Sequence, residues 1–353
     1  MLGAETNAAR LSNAAPPAIP DTETFWRTVV EPVEPFLERV ASRLAEQVET
    51  FDSEVAVYAR YALGSQGKQL RPALLGLSAG IFGRLEEPAV TAAVIIEMVH
   101  LATLVHDDIM DEASLRRGRP TLAANWGNQI SVLLGDCLFA DALKLASSFP
   151  TTAVCQAVSA ATKTVCSGEI LQTLRLRQKN FTRDDYFRIL QMKTAELFAL
   201  SCDLGAWLGR AAQGEREALR QFGLDLGIAY QVYDDCLDLF GTESIAGKSL
   251  GTDLAGGKVT LPVLVVLERA PAPAAQRLRG WLEHWDDRHA AELQQLFWRY
   301  DVLAEAQAVV HRFLDSACGK LDLLPSCTSR DSLADLAQFL AQQTAQLGVQ
   351  ESA

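Results

Sequence analysis

The stretch Glu97-Met98-Val99-His100-Leu101-Ala102-Thr103-Leu104-Val105-His106-Asp107-Asp108-Ile109-Met110-Asp111 closes an apolar run that begins at Pro88. Val90, Val94, Ile95, Met98, Val99, Leu101 and Leu104 recur at helical spacing, so the run reads as one apolar helix interrupted by Glu97, His100 and His106. It ends in Asp-Asp-x-x-Asp, and the pattern returns at Asp234, Asp235 and Asp238. Residues four apart share a helix face, so Asp107 and Asp111 point together and Asp108 sits about 100° round; Asp234 and Asp238 repeat the arrangement. Carboxylates stacked a turn apart repel each other and are costly to desolvate without a cation. Two such sets predict one cavity with metal on both walls.

The rest of the composition fits an all-α chain. Hydrophobic residues make up 49% and charged residues 22%, aromatics are scarce, and Ala and Leu are abundant. The formal charge of −12 argues against nucleic acid as a partner, because the surface repels a phosphate backbone. Any anionic substrate therefore needs a local basic patch. Seven scattered cysteines with no C-x-x-C pair read as reduced thiols of a cytoplasmic protein. No window reads as an uninterrupted membrane span, and residues 1–20 lack a signal-peptide core and read as a disordered tail. Residues 21–353 read as a single helical domain.

Along the chain, Asp21 to Thr24 resembles a helix start, and Pro32 and Pro35 break or kink the helix opening there. Helices are expected over 52–63, to about Phe82, from Pro88 to Asp111, and over 128–148, 151–178, 183–211 and 214–240, with further helices in the final third. Gly64 to Gly67 followed by Lys68 and Arg71 is a Gly-rich turn with two cations before a helix, a pattern that suits an anion although most such turns merely join helices. The polar loop from Glu112 to Asn125 carries Arg116, Arg117 and Arg119, ordinarily surface residues, but here placed to grip a phosphate whose other side touches metal. Thr182 to Asp185 reads as an N-cap and first turn, and Asp286-Asp287 as surface charge.

Magnesium takes oxygen ligands and keeps substrate phosphate and water in its shell, so paired aspartate clusters suit a metal-bridged diphosphate, whereas zinc would want His or Cys. Basic residues at Lys68, Arg71, Arg116, Arg117, Lys193, Lys248 and Lys258, with apolar helices between, imply a substrate with an anionic head and a hydrocarbon tail. Ionisation of an allylic carbon–oxygen bond is the reaction such a site favours. From about residue 25 the chain resembles the trans-isoprenyl diphosphate (polyprenyl) synthases. The resemblance rests on Gly67 to Pro72, Glu97 to His100, His106 to Asp111, Arg116 to Gly118, Gly135-Asp136, Gly168-Glu169, Lys193-Thr194, Gln231 with Asp234 to Asp238, and Gly247 to Pro262.

That resemblance implies an isoprenoid-synthase-type helical bundle around a central cavity, and a homodimer. It assigns Asp107, Asp111 and Asp234 as main Mg²⁺ ligands, three ions with substrate bound, and Asp108, Asp235 and Asp238 as supporting groups. Arg116, Lys193, Lys248 and Lys258 would hold the allylic diphosphate; Lys68, Arg71, His100 and Arg117 would hold isopentenyl diphosphate. Thr194 and Gln231 would face the developing allylic cation. Two departures stand out: Gln69 where the family often has Arg, and Cys236 in place of an aliphatic residue.

The growing tail is expected to run down the helix upstream of Asp107, where a turn of about 5.4 Å matches one isoprene unit. Thr103, Ala102, Val99 and Met98 are not aromatic, so a tunnel open for two turns or more is expected, with a medium- or long-chain product that seeks membranes. Phe139 or Leu138 are candidates for its floor. A short-chain synthase is the alternative product class. A terpene cyclase needs no second Asp-Asp-x-x-Asp and no isopentenyl site, an HD-type phosphohydrolase needs further metal-binding histidines, and a non-catalytic subunit would typically lose its aspartates.

Overall fold

Apolar residues at three- and four-residue spacing fold nearly the whole chain into helices. The computed structural model describes residues 22–64, 67–83, 85–176, 181–241, 251–283 and 285–348. Its elements are α1 (Thr22–Val30), a 3-10 turn (Glu31–Val33), α2 (Glu34–Val48), α3 (Ser53–Leu63), α4 (Leu70–Gly80), α5 (Glu87–Met110), a two-residue hairpin of β1 (Leu115–Arg116) and β2 (Arg119–Pro120), α6 (Leu122–Ser147) and α7 (Ala153–Leu176). Then come α8 (Arg183–Leu190), a π-helical turn (Gln191–Ala195), α9 (Glu196–Leu208), α10 (Gln213–Phe240), α11 (Thr252–Ala255), α12 (Leu261–Arg269), α13 (Ala272–Glu283), a 3-10 turn (Asp287–His289), α14 (Ala290–Arg299), α15 (Val302–Leu321) and α16 (Thr328–Gln346). Lys248 and most of its glycine-rich stretch, like the tail, lie outside the described residues.

The centre is α5. Its residues from Ala92 to Ile96 are fully buried, and α6, α4, α2 and α9 cover it. Each such Val or Ile contributes about 1.5–3 kcal/mol when fully buried, so a charge in this run would break the core. By length and composition α5 is long and apolar enough to cross a bilayer, which corrects the reading that no such window exists. Its apolar surface is instead covered by other helices. On the far side α10 packs along α9 and α15, which sets the second aspartate cluster opposite the first.

Three departures from the periodic reading have local causes. Thr121 caps α6 by accepting the Ala124 N–H, so the helix starts at Leu122 and is bent at Gly127, whose φ of 82° an L side chain would resist. Inside the expected loop 112–125, Arg117 and Gly118 both take positive φ, which closes the hairpin as a two-residue turn. The expected helix over 183–211 is α8, a π turn and α9. Thr182 does cap α8, through a capping box with Asp185, and the proline-containing turn before α2 is a 3-10 turn.

Candidate active site

The last turn of α5 forms the first wall. Asp107 Oδ1 lies 3.9 Å from Lys193 Nζ, and Lys193 also pairs with Glu169 of α7. Lys258 reaches Asp111 at 3.2 Å and Asp253 at 3.5 Å, so one ammonium ties the first wall to the segment beyond the second. Asp108, round the helix, is buried and accepts the Arg116 guanidinium at 2.7–2.8 Å. Burial pushes the Asp107 carboxyl up to about 6; Lys193 pulls it down, while Glu169 and Asp111 push it further up. Asp108 is also raised, because its desolvation outweighs Arg116.

Lys193 and Thr194 sit on the π turn, where one extra residue re-aims the side chains, a device common at functional sites. Gly168 makes the turn possible. A Cβ there would stand 2.9 Å from Met192 Cβ and 3.0 Å from the Lys193 backbone nitrogen, so α7 meets the turn only with no side chain between. Glu169 comes next in the chain and is the lysine's partner. The sequence offered Gly168-Glu169 as a motif without assigning the carboxylate a role; its position beside a helix-packing glycine was the available signal.

The second wall is α10. Asp235 is buried, accepting Tyr186 Oη–H at 2.6 Å and Gln231 Nε2–H at 2.9 Å; burial, then the Asp253 charge, pushes it up to about 8. Thr194 Oγ1–H in turn donates to Gln231 Oε1 at 2.9 Å. Asp238 accepts the Asp253 N–H at 3.1 Å and, through its backbone carbonyl, the Gly251 N–H at 3.0 Å, which anchors the segment leading to Lys258. Asp234 is half-buried on the face of Asp238. A cavity of about 100 Å³ lies between these elements, lined on its polar side by Lys193, Thr194, Gln231, Asp235, Asp253 and Lys258 and on its apolar side by Phe181, Ile189 and Leu190.

The basic residues of the loop region meet at α4. Arg71 is half-buried, its Nη1 3.0 Å from His100 Nε2 and its guanidinium stacked 5.0 Å over the Phe198 ring, while its buried Nε has no partner. Because Arg71 can only donate, His100 Nε2 accepts and the ring proton belongs on Nδ1. Burial and then the arginines hold His100 well below its ordinary value, so it is neutral. Arg117 lies against Gly67, in space that a side chain there would occupy. Glu97 is buried beside both arginines, and its own desolvation raises it despite them. Lys68 is exposed, its ammonium 3.5 Å from the Thr22 carbonyl, and Gln69 takes a left-handed φ of 51°.

Upstream of Asp107, Ala102, Val99 and Met98 are packed into the core, and half-buried Thr103 donates to the His100 carbonyl. His106 turns away from the aspartates, donating from Nε2 to the Val132 carbonyl at 3.1 Å beside Phe139.

The donor set fits a hard divalent cation. Asp107, Asp111 and Glu169 crowd one region, and two ammoniums only partly offset them. Among the described residues no three acidic, His or Cys groups converge on one point, an arrangement suited to Mg²⁺ or Ca²⁺ held by one or two carboxylates together with phosphate oxygens. Opposed acidic walls, flanking cations and an apolar surround set charged and apolar surfaces side by side in one all-α site.

Comparison with known proteins carries this to a family. The polyprenyl synthetase family model matches residues 52–299. Heptaprenyl diphosphate synthase component 2 of Geobacillus stearothermophilus is 36% identical, over 86% of this chain and 94% of its own. Octaprenyl diphosphate synthase of Escherichia coli K12 is 32% identical, over 80% and 88%. The crystal structure of a polyprenyl synthase from Caulobacter crescentus CB15, complexed with calcium and isoprenyl diphosphate, superposes with a TM-score of 0.84 at 30% identity, covering 90% of this chain and 97% of that one. The chain belongs to the polyprenyl synthetase family and is a prenyltransferase of the trans-prenyl diphosphate synthase class.

Proposed function

We propose that the enzyme condenses isopentenyl diphosphate with an allylic diphosphate, with Mg²⁺, to give a medium- or long-chain polyprenyl diphosphate. The observation that carries the reading is the opposition of Lys193 and Lys258 to Asp107 and Asp111. The carboxylates would hold the metal and the ammoniums would reach the phosphate oxygens of the substrate. When bound, Mg²⁺ supplies positive charge to the leaving diphosphate. Asp107, Asp111 and Asp234 are its principal protein ligands in this reading, with Lys193, Lys258, Arg116 and Lys248 holding the allylic diphosphate.

The chain's own residues do the rest. Arg71, Arg117, neutral His100 and Lys68 hold isopentenyl diphosphate, and the buried, unpartnered Arg71 Nε has a donor to give. Gln231 Oε1, with the Thr194 hydroxyl beside it, directs negative dipole towards the allylic carbon as it becomes positive. The apolar wall excludes water, which would otherwise capture that carbon. The alkene of isopentenyl diphosphate then forms the new carbon–carbon bond, and its proton leaves to the released diphosphate.

Chain length depends on α5. Thr103, Ala102, Val99 and Met98 are small or unbranched at the tip, so they yield to a lengthening tail where aromatic rings would stop it. The calcium and isoprenyl diphosphate of the Caulobacter structure support divalent-metal use, and seven free cysteines support a reducing, cytoplasmic setting. The purified chain with Mg²⁺, isopentenyl diphosphate and farnesyl diphosphate is expected to yield hexaprenyl to octaprenyl diphosphate by chromatography; a product ending at geranylgeranyl diphosphate overturns the length assignment. The component 2 relative favours a second reading, in which a partner chain is required. No elongation by the isolated chain, restored by adding a partner, would establish it.

A further inference from the structure

Tyr186 lies on α8, away from both aspartate clusters in sequence, yet its side chain ends on the wall of the cavity. Its hydroxyl sits between two groups: it receives the N–H of Leu261, the first residue of α12, and donates to Asp235 Oδ2 at 2.6 Å. The other carboxylate oxygen receives Gln231 Nε2–H at 2.9 Å, and Gln231 Oε1 receives Thr194 Oγ1–H at 2.9 Å. The chain of bonds runs without a break from the backbone beyond Lys258 to the pair facing the cavity.

In the structure Asp235 accepts on both oxygens, from the Tyr186 hydroxyl and from the Gln231 NH₂, so the carbonyl of Gln231 points the other way, towards Thr194 and the cavity. Flipping the amide would set oxygen against oxygen at Asp235 and bring N–H to the place where positive charge develops. Asp235 holds that orientation only while its own carboxylate plane is fixed, and Tyr186 fixes it. We propose that Tyr186 is a positioning residue for prenyl transfer, acting through Asp235 to keep the carbonyl dipole of Gln231 aimed at the allylic carbon. This rests on the proposed function in one respect, that Gln231 faces the reacting carbons.

The test is a double-substitution cycle on the full chain, read as the single-turnover rate of condensation. Tyr186→Phe removes one hydroxyl and is expected to slow that rate about tenfold, with KM for both diphosphates within twofold of the original. Added to Gln231→Leu, it should slow the rate no further, because the group it positions is gone. Equal slowing in both backgrounds, or none in either, overturns the proposal, and elongation by the unaltered chain in the same assay separates failure of the positioning role from failure of the family reaction. Asp235→Ala gives a second arm should Tyr186→Phe fold poorly. It removes the acceptor that holds the Gln231 NH₂, so the rate should fall with the Mg²⁺ concentration for half-maximal rate unchanged; recovery of the rate at high Mg²⁺ would mean that Asp235 acts as a metal ligand instead, and the proposal fails.

Discussion

Asp107 works against the fold that carries it. Burial lifts its carboxyl from an ordinary 3.8 to about 6, so the folded, metal-free protein binds a proton more readily than the unfolded chain does. Stability therefore falls as pH rises from about 4 to about 6 and stays lowered above that; below about 4 both states are protonated and the cost disappears. That displacement corresponds to at most about 3 kcal/mol, and a side chain 21% exposed beside Lys193 brings it to about 1–2 kcal/mol. Asp107→Asn is expected to raise the melting temperature in EDTA at pH 7.5 by a few degrees and to leave it unchanged at pH 4. Calorimetry at the two pH values checks this, and an equal gain at both would show that the carboxylate's charge is not the cause. The same substitution should lower kcat at least about a hundredfold, since the group that costs stability is the one that holds the metal.

At the scale of elements, the π turn and α5 carry separable functions. Gly168→Ala puts a methyl group against Met192 and the Lys193 backbone, where α7 cannot retreat without giving up its packing. A loss of about 1–3 kcal/mol in urea unfolding is expected, with a raised KM for the allylic substrate as Lys193 shifts; unchanged KM would detach the turn from the diphosphate. On α5, Thr103→Phe adds a ring one turn before Asp107 and should shorten the product with little effect on the first condensation, read by chromatography of labelled products. The helices were legible because their apolar spacing is a local property of the chain, and so were both aspartate clusters. The π turn was not: Gln191 to Ala195 keeps helical spacing, and the extra residue is forced by contact with α7. Nor was the Tyr186 link to Asp235, which spans 49 residues and exists only once α8 is laid against α10.

For the whole molecule, half of the twelve exposed large apolar side chains among the described residues fall on α6 and α7. Leu133 (53% exposed) lies four residues from exposed Cys137, and Ile170 and Leu174 (61% and 54%) come after exposed Cys166 at the same interval, so each helix presents one apolar stripe. A contiguous surface of this kind marks an interface. We propose a second copy of this chain as the partner, since twofold symmetry would let the same two stripes meet themselves. Cysteine chemistry reads this out directly. Burial pushes the Cys202 thiol up to about 12 and Cys236 up as well, so both stay inert to alkylation at pH 8; burial and the Asp107 and Glu169 carboxylates raise Cys166 also, so exposed Cys137 is expected to lead the labelling. Such a dimer is expected to cover Cys137. The unaltered protein is expected to sediment at twice the chain mass with slow Cys137 labelling, and Leu133→Glu to sediment at the chain mass with fast labelling, because a carboxylate buried in the interface has no partner. Rapid labelling of Cys137 in a protein that still sediments as a dimer would move the interface to another face of the bundle.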